Sequence, residues 1–231
     1  MTVEIFDCEQ RSPEWWKCRN GIPTASQFAT VLAKGRSGGE SKTRRTYLLK
    51  LAGERLTGEP MDSYSNHHME RGQAMEEEAR NAYAFMCDAA PTPIGFIRNG
   101  NAGGSPDALL GDDGLLEIKT ALPHLLIDML LKDKFPPEHW AQTQGQLWVS
   151  EREWCELVVY WPGLPLFVRR IARDEDYIKG LSEQVARFNA ELAEVVDKIQ
   201  RYGGQQTMDR PAEPEARPPE TVDMGNQPPV F

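Results

Sequence analysis

The sequence predicts a mixed α/β sandwich, one central sheet covered by helices. Three observations point there. Short apolar runs bounded by Gly, Asn and Asp cluster at 92–98, 103–110 and 115–121, as strands do. Two more, "EWCELVVYW" and "LFVRRIAR", are separated by Pro162-Gly163, a turn signal. Helical patterns precede, interrupt and follow these runs, which is the layering of an α/β domain.

The elements follow in order. Ser12-Pro13-Glu14 is a helix start, with a capping serine and proline at the first helical position. Ser26 caps or opens a second, short helix. A helix over about 43–57 stops at Gly58, and Asn66 caps another that runs to about Met86. After the first strands a helix covers about Pro137 to Val149. A long amphipathic helix over about 174–201 closes the domain. Residues 203–231 hold six prolines and almost no large apolar side chains, so they cannot offset their ordering entropy. The expected organisation is one folded domain, 1–202, and a proline-rich, disordered tail, 203–231.

A chain of 231 residues fits one sizeable domain. The apolar run "LLIDMLL" is interrupted by Asp128 and is far short of the roughly 20 residues of a membrane span. Four scattered cysteines without a C-x-x-C pair argue against a zinc site and for a reducing cytoplasm. The net charge of −9 speaks against a nucleic-acid partner. Yet Lys34 to Lys50 carries six basic residues against Glu40 alone. That stretch is either a solvated loop and helix start or a surface for an anionic partner.

The chemistry concentrates in "GGSPDALLGDDGLLEIKTA", Gly103 to Ala121. A hairpin turning at Asp112–Gly114 brings Asp107 beside Glu117, because paired strands lie about 4.8 Å apart. Glu117 and Lys119 are two apart and share a face of the sheet. Charges in an apolar strand are costly unless they pair or bind something. Two carboxylates with a lysine suit Mg²⁺, which takes hard oxygen ligands, while the amine positions a water. A Glu–Lys surface strand is the alternative. In "MERGQAMEEEARNAY", Glu76 borders the apolar face of a helix and is a candidate to join them; the alternative is that Glu76, Glu77 and Glu78 form one solvated acidic face.

With these residues in view, the chain resembles the PD-(D/E)XK nuclease superfamily. Within it the chain is similar to the phage lambda exonuclease, or YqaJ-type viral recombinase, family. The blocks that carry the resemblance are "WWKCRNGIPTASQF" (15–28), "AKGRSG" (33–38), "RGQAME" (71–76), "GSPDALL" with "LLEIK", and "WAQTQGQLW" (140–148). They stand in the family's order and span about residues 12–200.

The resemblance implies a restriction-endonuclease-like core and metal-dependent 5′→3′ hydrolysis of one strand of duplex DNA. Mononucleotides leave, and a 3′ single strand remains. It implies Asp107, Glu117 and the backbone carbonyl of Ile118 as ligands of Mg²⁺, for which Mn²⁺ would substitute. Glu76 would support a second ion, directly or through water. Lys119 would deprotonate the attacking water or, as an ammonium, stabilise the developing charge. Arg19, Ser26, Ser105 and Gln142 would hold the terminal 5′-phosphate, and Arg36 and Arg45 would contact the DNA backbone. A homotrimeric ring around the DNA, a single-strand annealing partner and a phage- or prophage-encoded origin in a bacterial cytoplasm complete the implied picture. A structure-specific or restriction-like endonuclease and a non-catalytic DNA-binding recombination module are the competing readings.

Overall fold

The computed structural model describes residues 2–35, 39, 41–61 and 67–208. Strand β1 (Val3–Phe6) is followed by helix α1 (Pro13–Arg19). A 3₁₀ turn (Ala25–Gln27) runs into α2 (Phe28–Leu32), and α3 (Lys42–Thr57) and α4 (His67–Cys87) follow. Then come β2 (Thr92–Pro93), β3 (Phe96–Asn99), β4 (Ala102–Gly104), β5 (Ala108–Leu110) and β6 (Gly114–Thr120). Helix α5 (Pro123–Lys132), a 3₁₀ turn (Pro137–His139) and α6 (Trp140–Ser150) lead to β7 (Trp154–Tyr160) and β8 (Phe167–Ala172). The last element is α7 (Glu175–Met208).

The start of α1 and the end of α3 are built as the sequence dictates, whereas Ser26 lies inside the 3₁₀ turn and does not cap α2, and α6 starts at Trp140 after the 3₁₀ turn at Pro137. Ser12 accepts the Trp15 N–H at 3.2 Å and Pro13 opens α1. Gly58 ends α3 at φ +76, a conformation glycine adopts freely. The Asn66 cap, Arg36 and the tail beyond Met208 lie outside the described residues. No described helix is long and apolar enough to cross a membrane.

The mixed α/β class holds, but the strands divide over two sheets. One is antiparallel, in the order β1-β3-β4; the other runs β2-β5-β6-β7-β8. Each of the apolar runs 92–98 and 103–110 is broken and contributes to both sheets. The first breaks at Ile94-Gly95, where the chain passes so close to β1's exit that a Cβ on Gly95 would meet the Cys8 carbonyl oxygen at 2.2 Å. The second breaks at Ser105-Pro106, and proline has no N–H to continue a ladder. In the larger sheet β6 is antiparallel to β5 and parallel to β7, the crossover passing through α5 and α6. Helix α5 grows from the "LLIDMLL" run, and α7 continues past residue 202 to Met208.

Strand β6 is covered on both faces. Leu116 and Ile118 pack with Ala79 and Tyr83 of α4 and Val158 of β7. Leu115 packs with Leu147 of α6 and with Cys155. Burying one such side chain stabilises by about 1.5–3 kcal/mol, so these two layers fix the strand. Period-two alternation then aims Glu117 and Lys119 at α6 with Leu115. A separate core of Phe28, Leu48, Ile97, Val185 and Phe188 joins α2, α3 and α7 to the smaller sheet.

Candidate active site

The β5–β6 hairpin sets the site. Its register pairs Ala108 with Leu116, which puts Asp107 opposite Glu117. The Asp107 N–H donates to the Leu116 carbonyl at 3.0 Å. Asp107 Oδ2 accepts the Ile118 N–H at 2.5 Å. Glu117 is only 2% exposed, yet its carboxylate is fully served. Oε1 accepts from Lys119 Nζ and from Gln142 Nε2, both at 2.5 Å, and Oε2 accepts from Gln146 Nε2 at 2.6 Å. These donors offset the cost of taking the charge out of water.

Charge is nevertheless unbalanced here. Desolvation, then the negative charges of Glu117 and Glu76, hold the Asp107 carboxyl well above the usual carboxylate range. Burial works against the charge on Lys119, but Glu117 and Asp107 outweigh it and hold the ammonium above its ordinary value. Lys119 is therefore charged at neutral pH in the metal-free protein. Accumulated negative charge on hard oxygens fits a divalent cation. Among the described residues no three His, Cys, Asp or Glu side chains form a ready cage. The ligands that could hold an ion are thus Asp107, Glu117 and the Ile118 carbonyl, with Glu76 farther out.

Glu76, on α4, faces Arg80 at 3.6 Å and Arg11 at 3.9 Å. It lines a cavity of about 390 Å³ together with Asp107, Gln10 and Ile94. Gln10 Nε2 donates to the carbonyls of Ile94 and Pro106, each at 3.0 Å, and so ties the loop after β1 to the residue before Asp107.

A second group sits next to Ser105, two residues ahead of Asp107. The Arg19 guanidinium lies 4.2 Å over the Trp15 ring and 5.1 Å from that of Trp16. Trp15 Nε1–H donates to Ser105 Oγ at 2.8 Å and to the Gly95 carbonyl at 3.0 Å. One indole thus links Arg19 to Ser105. Arg19 also lines a small pocket with Thr24, Tyr47 and Glu54. Ser26 is exposed on the 3₁₀ turn, 3.3 Å from Thr24 Oγ1, and the Thr24 N–H donates to Tyr47 Oη at 3.2 Å. Burial pushes the Tyr47 phenol up to about 12, so it stays protonated. Glu54 accepts the Gly21 N–H at 2.8 Å and holds the turn after α1.

Of the other expected residues, Gln142 is engaged with Glu117 through its amide nitrogen. Arg45 is exposed on α3. Its neighbour Arg44 forks onto Glu191 of α7 at 2.7 and 2.9 Å, so part of the basic stretch serves packing between helices.

Four contributors escape the sequence reading. Gln146 stands four residues after Gln142, one helical turn on, and that spacing marks it as a partner. Trp15, Gln10 and His139 have no local signal, because their partners are far along the chain. His139, just before α6, is kept neutral by desolvation and by the Lys119 charge.

Residues 14–153 match the model of the YqaJ-like viral recombinase domain. The crystal structure of an alkaline exonuclease (LHK-Exo) from Laribacter hongkongensis superposes with a TM-score of 0.76 at 32% identity, over 84% of this chain and 100% of that one. LHK-Exo in complex with dAMP gives 0.77 at 33% identity over the same shares. A phage related exonuclease from Haemophilus somnus 129PT, 13% identical, shares the fold with a TM-score of 0.60, over 77% of this chain and 96% of that one. No curated protein matches the chain.

Proposed function

The chain belongs to the YqaJ-like viral recombinase family, and on that premise we propose that it is a Mg²⁺-dependent 5′→3′ exonuclease of double-stranded DNA. It degrades one strand from a 5′-phosphorylated end, releases mononucleotides and leaves a 3′ overhang for single-strand annealing. The observation that carries this reading is the hairpin that joins Asp107, Glu117 and Lys119, with Ser105 tied through Trp15 to Arg19. The dAMP complex of LHK-Exo supports a mononucleotide product.

Asp107, Glu117 and the Ile118 carbonyl would hold Mg²⁺, and Glu76 would support a second ion, directly or through water. When bound, Mg²⁺ supplies Lewis-acid polarisation of the phosphate and a more acidic water. Gln142 and Gln146 fix the rotamer of Glu117. Lys119 donates to the attacking water and stabilises the charge that develops on the phosphate. Arg19, Ser26 and Ser105 bind the terminal 5′-phosphate, the guanidinium forking onto its oxygens and the hydroxyls donating. Gln142 joins them only if it releases Glu117. Arg36 and Arg45 contact the backbone. A homotrimeric ring on the duplex, an annealing protein as partner and a bacterial cytoplasm belong to the same proposal.

The test is digestion of a linear duplex labelled at one end, with and without Mg²⁺. Mg²⁺-dependent loss of label as mononucleotide from the 5′ end is expected, slower when that end carries a hydroxyl. Cleavage of a covalently closed circle would point to the endonuclease reading instead.

A further inference from the structure

One part of the active-site cavity is unused by this mechanism. Arg11 stands at φ +72, a backbone conformation costly to any residue with a Cβ. Its loop is not loose: the two Gln10 bonds anchor it to Ile94 and Pro106, and the Ser12 N–H donates to the Glu9 carbonyl at 3.1 Å. The strained residue is therefore held where its side chain enters the cavity of Asp107 and Glu76. Arg80 enters the same cavity from α4. The two guanidinium groups flank Glu76 at 3.9 and 3.6 Å, beyond hydrogen-bond length, so they balance its charge without clasping it.

We propose that Arg11 and Arg80 are phosphate-binding residues of this cavity. They take the DNA phosphate that enters beside Asp107, and they flank Glu76 when no DNA is bound. A planar guanidinium matches the non-bridging phosphate oxygens in a two-point fork, which an ammonium does not. The proposal rests on DNA being the substrate.

The test compares the full-length native protein with R11G and R80Q, binding a 5′-phosphorylated duplex in metal-free buffer across a salt series. Glycine accepts φ +72, so R11G should melt at or above the native temperature. The slope of log binding constant against log salt should become shallower by about 0.9 for each arginine removed. With Mg²⁺ restored, turnover should fall about tenfold or more. A folded R11G with the native slope would overturn the proposal, because a purely structural role moves melting and not the slope. If the native protein binds duplex but does not cut it, the nuclease reading fails, and the slopes still decide the arginines. A native protein that binds no DNA would overturn both.

Discussion

Two glutamates stand in buried, neighbouring strands, and they do different things. Glu117 of β6 is 2% exposed and Glu156 of β7 is 8% exposed. Glu156 faces α4: it accepts from Tyr83 Oη and from Nε and an NH₂ nitrogen of Arg170, each at 2.8 Å for the arginine. The same guanidinium lies 3.7 Å over the Trp154 ring. One carboxylate thus meets one cation and one phenol, and the account closes. Glu117 faces α6 and shares Lys119 with Asp107, whose carboxyl also feels the charge of Glu76. Asp107 and Glu117 share one lysine, so this pair of carboxylates carries one negative charge more than Lys119 balances. The first arrangement is a strut between sheet and helix; the second is a site that gains by taking up a cation.

The largest effect that separates the two should come from Lys119→Ala. Cleavage should fall about a thousandfold, as expected when a group that handles the reacting water is lost, while duplex binding stays within a few-fold of native. Turnover near native would remove Lys119 from the chemistry and make the two glutamates alike. Arg170→Ala should act on the other side of the comparison. Breaking a buried pair costs about 3–5 kcal/mol, but the Arg170 side chain is 56% exposed, so about 1–2 kcal/mol is expected. The melting temperature should drop by about 2–8 °C, with cleavage of linear duplex by the folded protein preserved. Loss of cleavage without loss of stability would tie Glu156 to the reaction.

Asp107→Asn should move stability the opposite way. The Asp107 carboxyl is held above its unfolded value. Its stabilising contribution is therefore whole below about pH 3.9 and is lost as pH rises through the folded value. At neutral pH the metal-free native protein carries that penalty, and asparagine does not, while its amide oxygen can still accept the Ile118 N–H. The variant should melt a few degrees higher in metal-free buffer at pH 7, with the gain shrinking towards pH 4. A lower melting temperature at pH 7 would show that Asp107 is stabilised, not strained, by its neighbours.

Much of the site was legible in the sequence because its logic is local. The Gly/Asp cluster and the two-residue spacing of Glu117 and Lys119 point to the hairpin, although its turn is 111–113, one residue earlier than expected, with Gly114 already in β6. The sheet plan was not, since the break at Gly95 depends on β1, about ninety residues away in sequence, and the run 103–110 reads as one strand despite Pro106. Helix α5 escaped because its apolar residues are not confined to its buried side: Leu126 is buried while Leu125, Ile127 and Leu131 are exposed. Sequence separates Glu117 from Glu156 only through Lys119, two residues on, and the hairpin to Asp107. "LLEIK" and "CELVV" are both lone glutamates in apolar strands. What distinguishes them is the company that the fold brings: two glutamines, a lysine and a second carboxylate for one, a tyrosine and an arginine for the other.

Calorimetric titration of Mn²⁺ into the metal-free native protein, Asp107→Asn and Glu156→Gln tests that distinction most directly. The native protein and Glu156→Gln should bind with similar affinity, and Asp107→Asn should not bind. Equal binding by Asp107→Asn and the native protein would contradict that distinction.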